Sequence, residues 1–187
     1  QVSVGAKVGM LVLLKVTGDV KEGGGLLSFT LKEGKKVMTS IPLDFVYRFS
    51  NSGNDRVKPE GDIVIKNTFG AETARIDANK SLGNVLPGSV RRFEVHYGET
   101  KAPEVSAPFL DHAKYQMNNF SFGMYTATMN LSFGNSGVAE SSITYFMFPW
   151  QLLSIIVGII AVLFIILVSL IKRYNRWIIK QARSAAK

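Results

Sequence analysis

The chain has no cysteine among its 187 residues. This absence excludes disulfides, zinc–thiolate sites, a cysteine nucleophile and S-palmitoylation. Small secreted domains often depend on disulfides, so an extracytoplasmic domain with this sequence must be stabilised by its apolar core alone. That is more typical of a bacterial surface protein than of a eukaryotic ectodomain.

Acidic residues are missing from the C-terminal part of the chain. All 14 of them lie between Asp19 and Glu140, whereas residues 172–187 carry six of the 22 basic residues. The preceding part is almost balanced, so the formal net charge of +8 is concentrated in the tail. A basic cluster beside an apolar run indicates membrane topology, and we predict no nucleic-acid partner.

Sequence patterns that carry chemistry are also missing. His96 and His112 have no HExxH-like spacing around them, the dispersed carboxylates form no EF-hand loop, and no G-x-S-x-G or phosphate-binding glycine loop is present. His96 lies in a predicted strand and is expected to face solvent, and His112 is expected in a loop. We therefore predict no metal, no cofactor and no enzymatic activity.

One long apolar run is present, at residues 152–171. It contains 20 residues without a charge, of which 16 are Leu, Ile, Val or Phe. As a helix it would extend about 30 Å, the thickness of the hydrocarbon layer, and its insertion is favoured by roughly 5–10 kcal/mol. We predict a single transmembrane helix at residues 150–171.

Aromatic and basic residues border this run. Aromatic side chains settle at the headgroup level, and Lys and Arg stay on the cytoplasmic side. The pattern predicts a plasma-membrane protein with its N-terminus outside and its tail, residues 172–187, in the cytoplasm. The predicted interface residues are Trp150, Tyr174, Trp177, Lys172, Arg173 and Arg176.

Two further features of the anchor concern its contacts. The tail has helical spacing of apolar and basic residues, typical of a helix lying on an anionic leaflet, although a plain stop-transfer anchor explains the same residues and is preferred. Ser154 and Gly158 form a small-xxx-small pair that could bring two helices together. A homo- or hetero-oligomer is thus one possible outcome.

The region before the anchor has the pattern of a β-protein. Apolar residues alternate at residues 45–49, 63–65, 93–97 and 123–133, a final strand is expected at 141–148, and Gly, Pro and Asn turns separate the segments. We predict an immunoglobulin-like antiparallel β-sandwich, a strand at residues 8–16, a hairpin joining residues 26–31 to 37–41, and no helix outside the membrane segment.

The sequence is compatible with two assignments of the domain boundaries. Residues 43–148 contain enough strands for one immunoglobulin-like domain. Residues 1–42 then either complete that sandwich or end a preceding domain. An outside N-terminus normally requires a cleaved signal peptide, so either a signal has been removed or the sequence is the C-terminal portion of a longer chain. The latter is our expectation.

Four segments of the chain together resemble bacterial surface proteins related to the WxL-interacting family. They are residues 45–67, 84–93, 122–129 and 146–150. The resemblance covers residues 43–187. It implies immunoglobulin-like domains, a signal peptide and a C-terminal membrane helix with basic residues. In that family, an N-terminal domain is associated with peptidoglycan binding and the membrane-proximal domain with protein partners. No binding residue transfers position by position.

Three functions follow as hypotheses. The first is a membrane-anchored binding or adhesion module that presents its sandwich to a surface protein or wall polymer. The second is an accessory subunit of a membrane complex that assembles through the helix. The third, a wall-active enzyme, is the least favoured because no catalytic pattern supports it.

Overall fold

The computed structural model describes residue 10, residues 18–98 and residues 101–185. They form eight strands and two helices: β1 (Gly24–Leu31), β2 (Val37–Met38), β3 (Leu43–Asn51), β4 (Glu60–Lys66), β5 (Glu72–Asp77), β6 (Val90–Tyr97), α1 (Phe109–Asn118), β7 (Gly123–Phe133), β8 (Gly137–Met147) and α2 (Trp150–Ala185). The strand predicted at residues 8–16 lies outside the described residues, apart from Met10.

The strands form two sheets that pack face to face. The smaller sheet has the order β1-β3-β6, and the larger has the order β2-β8-β7-β4-β5. All pairs are antiparallel except β2 with β8. Sequence neighbours β3 and β4 lie in different sheets, as do β6 and β7. This exchange between sheets is the connectivity of an immunoglobulin-like sandwich, which confirms the predicted fold class. β1 belongs to the same sandwich, because it pairs with β3.

Alternation along the strands builds the core. In β3 the side chains of Leu43, Phe45, Tyr47 and Phe49 are buried, and in β7 every second residue from Ala127 to Phe133 is buried in the same way. Facing aromatic rings join the two sheets, with centroids 5.0 Å apart for Phe49 and Phe133 and 6.2 Å apart for Phe45 and Tyr145. Each buried aromatic or aliphatic side chain contributes roughly 1.5–3 kcal/mol, so the period-2 pattern fixes which face of each strand turns inward.

Two buried asparagines fasten the turns at the edge of this core. The Asn79 amide donates to the carbonyls of Pro59 and Gly83, at 2.8 and 2.9 Å, and its oxygen accepts the Gly83 N–H at 2.8 Å. Asn51 similarly donates to the carbonyl of Val85 at 2.9 Å. Buried backbone groups of these turns are thereby satisfied without a regular strand partner.

The structure corrects three expectations. The hairpin joining residues 26–31 to 37–41 is wrong: β1 pairs with β3, and β2 crosses to the other sheet, where it pairs with β8. The prediction that no helix lies outside the membrane segment is wrong, because α1 lies between β6 and β7. His112 is therefore helical and not in a loop. In addition, β5 forms an edge strand for which the sequence analysis predicted no strand.

Helix α2 follows β8 after only Phe148 and Pro149. Its first 30 residues, Trp150–Ile179, are long and apolar enough to cross a membrane. The helix continues beyond the predicted span to Ala185, so the tail residues up to that point are helical, as their spacing indicated.

Candidate functional site

The junction between the sandwich and α2 contains the first predicted interface residue, Trp150. Its ring meets the ring of Phe109 edge-on, with centroids 5.7 Å apart and planes at 65°. Phe109 is the first residue of α1, so the predicted interface tryptophan packs against the helix that the sequence analysis missed. Pro149 precedes α2 and Pro108 precedes α1, a position before a first turn that tolerates proline because no intrahelical N–H bond is lost there.

Gln116 holds the two helices together. It is buried, and its side-chain amide donates to the side-chain oxygen of Gln151, while its own oxygen accepts the backbone N–H of Leu152 at 3.0 Å. The first N–H groups of any helix lack an intrahelical partner. A side chain from α1 therefore satisfies one such group of α2, which fixes α1 at the level where the apolar helix begins.

The residue before Gln116 fastens α1 to the sandwich. The hydroxyl of Tyr115 donates to the carbonyl of Ile41 at 2.9 Å, in the connection from β2 to β3. The small helix thus bridges the β-domain and the first turn of α2. This bridge limits hinge motion at the short connection between β8 and α2.

The residues predicted for helix–helix contact lie on the exposed surface of α2. The Ser154 hydroxyl donates to the carbonyl of Gln151 at 2.8 Å, within its own helix. At Gly158 an added Cβ would meet nothing within 4 Å among the described residues. The surface at Gly158 is therefore open.

The remaining predicted interface residues lie together about 36 Å along α2 from Trp150, at 1.5 Å per residue. The rings of Tyr174 and Trp177 stack with centroids 6.2 Å apart. Arg176 donates from Nε to the carbonyl of Lys172 at 3.3 Å, and Arg173 belongs to the same turn of α2. The aromatic and basic side chains thus occupy one band, one membrane thickness away from the β-sandwich.

A second region of interest is the open side of the sandwich, between β5 and β6. Among the strands of the described residues, each of these two is the edge of its own sheet. A cleft of about 990 Å³ lies between them, lined by residues 74–81 and 91–98. Its floor is apolar, since the buried ring of Phe93 stacks on Tyr47 at 4.7 Å. Edge strands present unpaired backbone groups, so this cleft, which we call the β5–β6 cleft, can accept an extended chain.

Charged side chains surround the β5–β6 cleft. Arg75 pairs with Glu72 at 2.9 Å and with Asp62 at 3.3 Å. Arg91 lies over the Phe93 ring, 5.1 Å from its centroid. Lys80 also lines the cleft, and no ion pair to it is found among the described residues. Arg92, Asp77 and Glu94 line the cleft as well, so it combines an aromatic floor with a rim of four cations and two carboxylates.

The outer face of the smaller sheet carries a separate ionic cluster. Lys32 donates to Glu94 at 2.9 Å and lies 3.6 Å from Asp44, while Asp44 contacts the His96 ring nitrogen Nδ1 at 2.7 Å. The hydrogen bond from Lys32 holds the pKa of Glu94 below its ordinary value, and the same bond raises the pKa of Lys32. All of these groups are exposed to solvent, as predicted for His96, so the cluster contributes little to stability.

No group of three His, Asp or Glu side chains in the described part of the chain is placed to hold a metal ion. The two regions that sequence reasoning missed are α1 and the β5–β6 cleft. The signals for α1 were weak: a proline before the first turn, an acidic residue in that turn, and the spacing of Ala113 and Gln116. The cleft has no local signal, because β5 and β6 meet only in three dimensions.

Comparison with protein-family profiles finds no match, and comparison with curated proteins likewise finds none. Solved structures share parts of the shape at low identity. A CARDB domain from Pyrococcus furiosus, in complex with di-metal ions, is 10% identical over 72% of this chain and 98% of that chain, with a TM-score of 0.37. A β-glucosidase from Erythrobacter marinus is 12% identical over 66% of this chain and 15% of its own, with a TM-score of 0.38. A sporulation control protein from Bacillus subtilis is 8% identical over 67% of this chain and 49% of its own, with a TM-score of 0.34.

Proposed function

We propose that this chain is a membrane-anchored binding module that presents an immunoglobulin-like sandwich at the cell surface. The observation that carries the proposal is the continuation of the sandwich, after two residues, into an exposed apolar helix of 30 residues. Such a helix in water would expose a large apolar surface on all sides, whereas a bilayer covers it completely. Anchoring at the membrane is the simplest role of α2.

The charge distribution supports an orientation for this anchor. Lys172, Arg173 and Arg176 follow the apolar run, at the end of α2 remote from the sandwich. The positive-inside bias favours a cytoplasmic location for this end, so we propose that the sandwich lies outside. Protease added to intact cells should then remove the sandwich and leave a fragment containing α2. Protection of the sandwich in intact cells, with cleavage only after lysis, would contradict this orientation.

The β5–β6 cleft is our candidate for the binding surface. Two strand edges that have no partner strand among the described residues can add an extended chain by backbone hydrogen bonds, and the aromatic floor with a rim of both charge signs suits a surface protein or a wall polymer. A binding role, and not catalysis, fits this arrangement. The relation to WxL-interacting proteins is part of the same proposal, since their membrane-proximal domain is the one associated with protein partners.

Site-specific crosslinking tests this assignment. A photoreactive amino acid is placed at Lys80 in the cleft. The matched control is Leu27, which is 56% exposed and lies on β1, the edge strand of the smaller sheet opposite β6. We expect a stoichiometric crosslinked surface protein or wall fragment from position 80 alone, in native membranes. Equal crosslinking from both positions, or none from position 80, would reject the cleft as the binding surface.

A second candidate function is an accessory subunit that assembles through α2. The open surface at Gly158, beside Ser154, is the observation that favours it. Replacing the apolar run with polyleucine tests this alternative, because polyleucine retains the anchor and removes the small residues. Loss of an associated membrane complex would favour the subunit. Unchanged assembly would eliminate it.

A further inference from the structure

The exposed aromatic side chains of the described β-sandwich lie at the end where α2 begins, whereas exposed aliphatic side chains such as Leu86 and Val90 also lie at the opposite end. Phe122 and Phe148 belong to this end of the larger sheet, where Gly123 pairs with Met147. The rings of Phe122 and Phe148 both lie near Phe146, with centroids 5.9 and 6.2 Å from its ring. Large aromatic side chains half-exposed to water carry an unfavourable hydration cost, so this cluster requires an explanation.

The turn between β4 and β5 adds a further aromatic to the same end. Phe69 is 93% exposed there. The neighbouring Thr68 hydroxyl donates to the carbonyl of Met124 and accepts its N–H, both at 3.0 Å. These two bonds hold the turn against the start of β7, next to Phe122. The turn is thus part of the end from which α2 leaves.

Helix α1 supplies the rest of the surface. Ala113 and Gln116 face inward, whereas Leu110 and Met117, seven residues apart and so on one face of the helix, are exposed together with Phe120 just beyond its end. We call the six exposed side chains Phe69, Leu110, Met117, Phe120, Phe122 and Phe148 the apolar rim. Lys114 lies on the same face between Leu110 and Met117, and an exposed face of apolar residues with a lysine suits a membrane interface, where the lysine reaches the headgroups.

The opposite end of the sandwich has a different character. There Glu22 accepts the N–H of Asn135 at 2.7 Å, and Asn54 accepts the N–H of Lys21 at 2.7 Å and donates to the carbonyl of Asp19 at 2.7 Å. Exposed aliphatic side chains also occur at that end, including Leu86 and Val90, but the clustered aromatic rings lie only at the end where α2 begins, among the described residues of the sandwich. This asymmetry separates the rim from ordinary surface hydrophobics, which are scattered singly.

The depth of the apolar rim relative to the start of the apolar run of α2 indicates what covers the rim. Gln116 contacts Gln151 and Leu152, and Leu152 is the first residue of the uncharged run. Each headgroup region is roughly 5–8 Å thick, so side chains about one helical turn outside Leu152 lie within it. Aromatic side chains are the ones that partition to this depth.

We propose that the apolar rim is a lipid-contacting surface that seats the sandwich directly on the bilayer, in the headgroup layer where α2 enters. This inference rests on the proposed anchoring by α2 and adds a second attachment besides the helix. The sandwich then stands at a fixed height and tilt, with α1 lying in the interface, and its binding surfaces are oriented relative to the membrane. The occupant of the rim is lipid and not a second copy of the chain.

The absence of cysteine makes the test direct, since each introduced cysteine is a unique labelling site. The full chain is reconstituted into phosphatidylcholine nanodiscs at one copy per disc, with a spin label at Leu110→Cys or Phe122→Cys in the rim. The control is Val138→Cys, which lies on β8 and on the same face as Phe146, about 27 Å away at 3.4 Å per residue. A fourth variant, Val162→Cys, places the label in the middle of the apolar run.

We expect both rim labels to show a several-fold lower collision rate with a water-soluble paramagnetic reagent than the Val138 label, and a several-fold higher rate with oxygen dissolved in lipid. Rim labels as water-accessible as the Val138 label, with the Val162 label buried in lipid, would overturn the rim proposal alone. A water-accessible Val162 label would overturn the anchoring on which it rests. Rim labels shielded only in discs that hold two copies would assign the rim to a second copy and would also overturn the proposal.

Discussion

Replacing Gly61 with alanine perturbs the pairing of β4 with β7 in the larger sheet. Gly61 has φ +152°, a backbone conformation that side chains disfavour, and it lies opposite Leu131. A Cβ at this position would overlap the carbonyl oxygen of Asn130, and would lie 2.9 Å from its carbonyl carbon and 3.0 Å from the Leu131 Cα. These are backbone atoms, so no flexible side chain can move aside.

The cost of Gly61→Ala has two parts. The strained backbone contributes about 1–3 kcal/mol, and displacement of the neighbouring strand contributes a further ~1–3 kcal/mol. We therefore expect the free energy of unfolding to fall by roughly 2–6 kcal/mol, a large part of the ~5–15 kcal/mol of a typical domain.

Gly25→Ala is the matched control, because the same chemical change occurs in another strand without these contacts. Gly25 lies in β1, and an added Cβ meets nothing within 4 Å among the described residues. Alanine reduces the conformational entropy of the unfolded chain, so this variant should be unchanged or stabilised by up to about 1 kcal/mol. Only the Gly61 variant should lose stability.

Urea-dependent pulse proteolysis of the full chain in detergent micelles measures both variants. Cleavage reports the unfolded fraction, and the urea midpoint converts to free energy through the denaturant slope. A midpoint for Gly61→Ala equal to that of the original chain would refute the close approach of β4 and β7 at Gly61. Equal losses in both variants would show that the effect is a general response to a larger side chain.

Three further outcomes follow from individual contacts. Asn79→Ala removes three hydrogen bonds and leaves two buried carbonyls unpaired, so it should lower stability by about 2–4 kcal/mol in the same proteolysis assay; a loss below the assay error would contradict the role of Asn79. Gln116→Leu removes the bond to the Leu152 N–H, and should accelerate amide hydrogen exchange in α1 by about 5- to 150-fold, for a loss of ~1–3 kcal/mol; unchanged exchange would mean that packing alone holds α1. Lys32→Ala should raise the pKa of Glu94, whose carboxylate it stabilises. When folding lowers the pKa of a carboxyl group, the ionised group stabilises the folded state above its unfolded pKa, and this contribution is lost as the pH falls through the folded pKa. Lys32→Ala removes most of that contribution. The variant should therefore lose less stability than the original chain below pH ~4.3, the unperturbed glutamate value. Carbon NMR titration of the Glu94 carboxyl measures the shift, and an unchanged pKa would refute the pairing.

The sequence was informative wherever the signal is local. Alternation at residues 45–49 and 123–133 predicted β3 and β7, because burial of one face acts on every second residue independently of the partner strand. The uncharged run at residues 152–171 predicted the apolar part of α2 for a similar reason. Insertion energy is a sum over single residues, and no tertiary contact is needed to evaluate it.

Local signals failed where pairing is long-range. Residues 26–31 and 37–41 form a plausible hairpin by composition, yet β1 obtains more cross-strand partners from β3, and β2 extends the larger sheet beside β8. The helix α1 has only two buried residues, so its periodicity is too weak to distinguish it from a loop. Its helical state depends on contacts with Trp150, Gln151 and Leu152, which are more than 30 positions away.

The candidate sites divide in the same way. The predicted interface residues at both ends of the apolar run could be identified from the sequence, since their chemistry depends on their distance along one helix. The β5–β6 cleft and the apolar rim could not, because each joins segments that are far apart in the chain: two edge strands in one case, and a turn, a strand end and α1 in the other. Sequence by itself determined the β-sandwich, the apolar helix and its charge asymmetry. Only the tertiary structure decided which described strands form the sheet edges and which aromatic side chains gather where α2 begins, because both depend on how the two sheets close around their common core.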